Sequence, residues 1–143
     1  MKNLFCPRGC DRVVKVEAGN GGSAGNIITN AIRTYKNTAF DRRILVLDAD
    51  LPPDQLESRT AAVAKYEIIL WEPQCLEGAL LEVLGESVST EDSSQHLKSR
   101  LHPMLAGHHT QTIAYAAHFG REVLDSARNA SVCKVRAVLK NEV

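Results

Sequence analysis

The chain has 143 residues, 44% of them hydrophobic, with seventeen basic and seventeen acidic side chains and a formal net charge of zero. That length and composition fit one folded domain with its own core, and the balanced charge excludes the overall basic character typical of nucleic-acid binders, leaving room only for a local basic patch. No apolar run reaches the roughly 18 to 20 residues of a membrane span, and the amino-terminal residues lack the apolar core of a secretory signal, so the expectation is a cytoplasmic protein with no membrane partner.

In chain order, Met1-Lys2-Asn3-Leu4-Phe5 reads as the last turn of a helix and Cys6-Pro7-Arg8-Gly9-Cys10 as the turn that ends it. Cys6, Cys10, Cys75 and Cys133 are too few and too scattered for a disulfide framework, which favours free thiols, and Cys6 and Cys10 have no second pair at zinc-finger spacing. Arg12 to Glu17 is rich in β-branched residues and predicts a first short strand. The glycine-rich turn from Ala18 to Asn26 follows, then a helix with Ile28, Ala31, Ile32 and Tyr35 at helical spacing. Gly19, Gly21, Gly22 and Ser23 open that helix, where backbone amides attract phosphate, but the short pattern favours a tight structural turn over a phosphate cradle, and Glu17 before it counts against the cradle. No Lys-Ser or Lys-Thr follows the glycines, which excludes an NTPase phosphate loop.

Arg42-Arg43-Ile44-Leu45-Val46-Leu47-Asp48-Ala49-Asp50 is the stretch around which the rest is arranged. Its unbroken aliphatic run predicts a strand buried on both faces, as in a parallel sheet, and ligands of such sheets bind beyond the carboxyl ends of the strands. Asp48 and Asp50 lie there, two residues apart and on one side of extended chain, where they could share Mg²⁺ or Mn²⁺. The alternative is that Asp48 caps a helix and Asp50 faces solvent. Pro52-Pro53-Asp54 then begins a helix to about Lys65, with Leu56, Thr60, Val63 and Ala64 facing inward. Tyr66 to Trp71 predicts a third strand stopped by Glu72-Pro73, and Gln74 to Leu84 a helix that puts Glu77 in its first turn beside the same crest.

The polar, serine-rich stretch from Gly85 to Gln95 separates an α/β part, residues 1–84, from a helical part, residues 85–143. In the latter, helices are predicted over Ser94 to Leu105 with an interruption at Pro103, over Gln111 to Arg128 with Ile113, Ala117, Gly120, Leu124 and Ala127 along one stripe, and over Ser131 to Lys140. His108 and His109 are adjacent, outside any His-Glu-x-x-His pattern, and read as loop residues. The fold class expected is α/β, a small parallel three-stranded sheet with flanking helices and a helical carboxyl-terminal part.

The glycine-rich turn, the Asp48-Ala49-Asp50 triplet and Pro73-Gln74-Cys75-Leu76-Glu77 together resemble RloB-like proteins of the topoisomerase-primase (Toprim) superfamily. The helical tail with Tyr115, Phe119 and Arg121 is similar in character to that family's end. The resemblance implies a Mg²⁺-dependent nuclease or phosphotransfer protein of a mobile defence or restriction-associated system, with Asp48 and Asp50 holding the metal and Glu77 assisting catalysis. It also implies a first strand ending in a Glu-Gly segment, whose glutamate is the general acid/base. No such strand precedes residue 12, so the expectation is a domain lacking that strand, impaired as a nuclease and prone to self-association. Nucleic acid is the partner the resemblance implies. The competing expectations are a non-catalytic α/β association module and a nucleotide-binding domain that uses the Gly19 to Gly25 turn.

Overall fold

The computed structural model describes residues 1–6, 11–19 and 21–142. The turn predicted over residues 7–10 lies outside the described residues. Among those described are seven α-helices and two strands: α1 (Lys2–Phe5), α2 (Ala24–Tyr35), β1 (Arg43–Asp48), α3 (Gln55–Val63), β2 (Tyr66–Trp71), α4 (Leu76–Val83), α5 (Ser94–Leu101), α6 (Arg121–Ser126) and α7 (Ala130–Leu139). Short 3-10 turns at His102–Met104 and Thr112–Tyr115 join α5 to α6. The fold is α/β, and no helix of the described residues is long and apolar enough to cross a membrane.

β1 and β2 pair in parallel, Arg43 opposite Tyr66 through Asp48 opposite Trp71. This two-stranded sheet corrects the three-stranded expectation. The segment from Arg12 to Glu17 pairs with neither strand, and Val13 and Val16 are 98% and 64% exposed. Its anchor is electrostatic instead: the Arg12 guanidinium donates to the Leu139 carbonyl at 2.6 Å and to the Phe5 carbonyl at 3.1 Å. A cation at the last carbonyls of α7 suits the negative end of that helix. β-branched content marks chain that tolerates extension, but a strand also needs a neighbour with free ladder groups.

Opposed residues of a parallel pair share a face, so Leu45 and Leu47 lie with Ile68 and Leu70, while Val46 and Asp48 lie with Ile69 and Trp71. The first face is covered by α2 and α3, where Ile28, Leu45 and Ala61 form a small buried cluster with Ile27, Ala31, Tyr66 and Ile68 around it. On the other side, Trp71 borders the main core, built from Phe5, Cys75, Ala79, Leu80, Leu81, Leu97, Leu101, Phe119, Leu124, Val132 and Leu139. A polar latch holds α7 there. Asn129 caps α7 by accepting from the Val132 amide at 3.1 Å, and its amide nitrogen donates to the Glu72 carbonyl at 2.8 Å; the buried Ser131 hydroxyl accepts from the Glu72 amide at 3.2 Å.

Local chemistry fixes most boundaries. Ser23 caps α2 by accepting from the Asn26 amide. Asp54 and Glu57 form a reciprocal capping box, at 2.7 and 3.0 Å, that starts α3 just after the two prolines. α3 turns Ala61 inward, however, and leaves Leu56 and Val63 exposed, against the inner face expected from periodicity. The long helix predicted over Gln111 to Arg128 is broken. Gly120 takes an extended conformation as the cap of α6, Phe119 turns into the core, and Ile113 stays in solvent. Cys75 and Cys133 are free thiols as expected, whereas Cys6 is held in a disulfide.

Candidate functional site

β1 ends at Asp48, beside the start of α4. The Asp48 carboxylate accepts a hydrogen bond through Oδ1 from the Leu76 amide at 3.1 Å, which places a negative charge on the amino end of that helix, where Cys75 offers no side-chain cap of its own. Asp48 is half-buried. Burial pushes its pKa up, the Leu76 hydrogen bond opposes that shift, the Glu77 and Asp50 carboxylates add to it, and the Lys98 ammonium pulls the other way. Three carboxylates therefore share one field at the end of a parallel strand.

Asp50 is tied on three sides. Its amide donates to the Gln74 carbonyl at 2.8 Å, Oδ1 accepts from the Leu51 amide at 2.8 Å, and Oδ2 accepts from the Ser94 hydroxyl at 2.6 Å. These bonds lace the crest of β1 to the turn after β2 and to the first residue of α5. Gln74 extends the lacing by donating to the Thr90 carbonyl at 2.6 Å, so the serine-rich stretch is stitched to the crest. Cys75 is buried beneath it, and burial pushes its thiol up, towards the inert protonated form.

Glu77, in the first turn of α4, faces a cleft of about 660 Å³ lined also by Gln95, Lys98, Ser99, His102, Pro103 and His109. Its carboxylate, with the side chain 13% exposed, lies 3.4 Å from Nε2 of His102. The His102 ring stacks on His109, centroids 4.3 Å apart and planes within 3° of parallel, and His108 lies against His109 at 4.4 Å. The Tyr115 hydroxyl donates to the His109 carbonyl at 2.6 Å and fixes the loop that carries it. Desolvation lowers the pKa of His109, with His102, His108 and Lys98 acting in the same direction and Glu77 against them. The Lys98 charge thus acts on both Asp48 and His109, and Glu77 stands in the field of the crest as well as in the cleft.

Asp48, Asp50 and Glu77 are thus brought together at one end of the sheet. Among the described residues, no group of three or more His, Cys, Asp or Glu side chains is arranged to hold a metal ion. What the donor chemistry accommodates is narrower. Mg²⁺ keeps several waters and takes one or two carboxylates, and a carboxylate that already accepts one hydrogen bond retains lone pairs. Oδ1 of Asp48 accepts the Leu76 hydrogen bond, and Oδ2 accepts none among the described residues.

The glycine turn lies at the start of α2. Gly21 and Gly22 have φ of 75° and 90°, a left-handed backbone that glycine adopts without strain. The Ser23 side chain caps its own helix, and Gly19 lies against Ile27. These are the duties of a structural turn. Glu17, before the turn, forms an exposed ion pair with Lys15 at 3.0 Å.

Lys98, His102, His109 and Ser94 were not among the candidates from sequence. A signal existed for part of the set: Gln95, Lys98, Ser99 and His102 recur at helical spacing and so share one polar face of α5 and the turn that continues it. Nothing in the sequence says that this face meets Glu77 across a cleft. No family model matches the chain, and neither a curated protein nor a solved structure does.

Proposed function

We propose that the crest of β1 and the adjoining cleft form a divalent-cation-dependent site for phosphodiester hydrolysis or phosphoryl transfer, of the Toprim-like kind that the Asp48-Ala49-Asp50 triplet resembles. The observation that carries this reading is the half-buried Asp48 carboxylate, raised in pKa with Glu77 and Asp50 adding to the shift, at the carboxyl end of a parallel strand. A cation would relieve the repulsion between these carboxylates. Asp48 and Asp50 would hold hydrated Mg²⁺ or Mn²⁺; the bound ion supplies positive charge at the phosphoryl oxygens. The chain's own residues contribute the rest. Ser94 and the Leu51 amide orient Asp50, the Leu76 amide orients Asp48, and Glu77 lies against His102 at the edge of the cleft. In this reading the protein belongs to a nucleic-acid-processing, defence-type system and works in the cytoplasm.

The test is calorimetric titration of Mn²⁺ into the parent and into the Asp48→Asn/Asp50→Asn double variant. Saturable binding in the parent that is lost in the double variant supports the reading, and equal binding by both sinks it. A Glu77→Gln variant should lose less cation affinity, since its carboxylate is engaged with His102.

A second reading, self-association, is favoured by the outer edge of β1. Among the described residues that edge has no neighbouring strand, and Val46 at mid-strand is exposed. Light scattering over a concentration series tests it: growth of the scattering mass with concentration supports association, and a constant monomer mass removes it.

A further inference from the structure

We infer that the cleft between α4 and α5 is a phosphoryl-binding pocket, with Lys98 as its fixed positive charge and the stacked His102 and His109 rings as its wall. The inference deepens the function proposed above, since it says which side chains hold the substrate's anionic group, but it requires no metal.

Four observations carry it. First, the half-buried Lys98 lines the cleft without an ion pair or hydrogen bond among the described residues. The next cation on α5 is spent otherwise: Arg100 faces Glu86 and Asp92. The Lys98 charge acts through space on Asp48 and on His109, so it sets a positive potential at the cleft that an entering anion would meet. Second, Gln95 and Lys98 reach the cleft from one face of α5, with an amide and an ammonium suited to phosphoryl oxygens, while the Ser99 hydroxyl beside them donates to the His96 carbonyl at 2.6 Å. Third, the only carboxylate lining the cleft among the described residues, Glu77, is largely buried and lies against His102, so its charge is directed to the imidazole rather than to the opening. Fourth, the stacked His102 and His109 rings form a preorganised wall, fixed from behind by Tyr115. At about 660 Å³ the cleft holds a phosphate with part of an attached nucleoside.

The phosphoryl group could come from a free nucleotide or from a nucleic-acid backbone, and the experiment separates these sources. Inorganic phosphate, a nucleoside 5′-monophosphate and a short single-stranded oligonucleotide are each titrated into the full chain in buffer with chelator, at matched ionic strength, and amide NMR shifts are followed. The expected result is saturable shifts at Gln95, Lys98, Ser99 and His102. Lys98→Gln should weaken binding by about tenfold or more, and Lys98→Arg should restore most of it. The tightest ligand names the source: the mononucleotide for a nucleotide site, the oligonucleotide for a backbone site. Asp48→Asn/Asp50→Asn should bind the anion as well as the parent or better, because it removes two negative charges from the neighbourhood. Phosphoryl binding that survives in this variant while Mn²⁺ binding was absent from the parent would remove the metal reading alone. Absence of saturable shifts with all three ligands, or binding that Lys98→Gln leaves unchanged while its melting temperature matches the parent, overturns the pocket.

Discussion

The two cores of this small protein differ in what they support. The cluster under α2 and α3 has three buried side chains, Ile28, Leu45 and Ala61, ringed by half-exposed neighbours, whereas the main core joins α1, α4, α5, α6 and α7 through eleven. Yet the stretch that dominates the sequence, β1, sends Leu45 to the smaller one. The rigid platform for the candidate site is therefore the helical side: Glu77 on α4 and Lys98 on α5 flank the fully buried Ala79, Leu97 and Leu101. A strand end supplies Asp48, and the helices determine what Asp48 meets.

That contrast can be broken by equal chemistry in the two places. Leu101→Ala and Leu45→Ala remove the same atoms, and buried Leu→Ala changes cost about 2–5 kcal/mol according to how far the site can collapse. Leu101 is enclosed on every side and should fall at the upper end of that range, while Leu45, near half-exposed residues that can close in, should fall at the lower end. Denaturant midpoints of the two variants measure the gap. Equal losses would mean that the two clusters are one cooperative core.

A smaller effect sharpens the role of α4. Gly78 lies so close to the Pro73 carbonyl that an added Cβ would overlap it, and Leu97 closes the remaining space. Gly78→Ala should cost about 1–3 kcal/mol by overpacking. Because Glu77 is the next residue, the variant should also disturb the His102 contact, read as a shift of the His102 ring signals in NMR. A variant of parental stability with unchanged ring signals would show that α4 is free to move away from the turn.

How much was legible follows the range of the interactions. β1, β2, the start of α3 after its two prolines, and the helix after Trp71 were visible because prolines and aliphatic runs act within a few residues. The strand expected at Arg12 to Glu17 failed because pairing is decided by a distant partner, and here Arg12 docks on Leu139 instead. The same holds at the site. Asp48, Asp50 and Glu77 stood out as acids at the ends of elements, but their engagement with the Leu76 amide, Ser94 and His102 depends on how α4 and α5 pack. His109 was read as a loop residue, which it is; only the tertiary stack gives it a place in the cleft.

The smallest and most informative change is made at Asp48 itself. Removing its side chain, Asp48→Ala, deletes the acceptor for the Leu76 amide and should cost about 1 kcal/mol, the usual loss for a helix cap. Asp48→Asn keeps an oxygen for that bond and deletes only the charge. Burial and the neighbouring carboxylates raise the folded-state pKa of Asp48 above its ordinary 3.8, so folding favours the protonated acid. Its contribution to stability is then complete below pH 3.8 and is lost as pH rises through the folded-state value, which makes the ionised form a liability at neutral pH. Asp48→Asn should therefore melt at or slightly above the parent temperature at neutral pH without divalent cations, and the difference should vanish at strongly acidic pH. Added Mg²⁺ should reverse the order, because a ligand bound only by the folded parent raises its melting temperature alone. An asparagine variant as destabilised as the alanine variant at neutral pH would show that the charge on the α4 amino terminus outweighs the cost of burying it. Asp48 would then be a structural cap rather than a residue held for a cation.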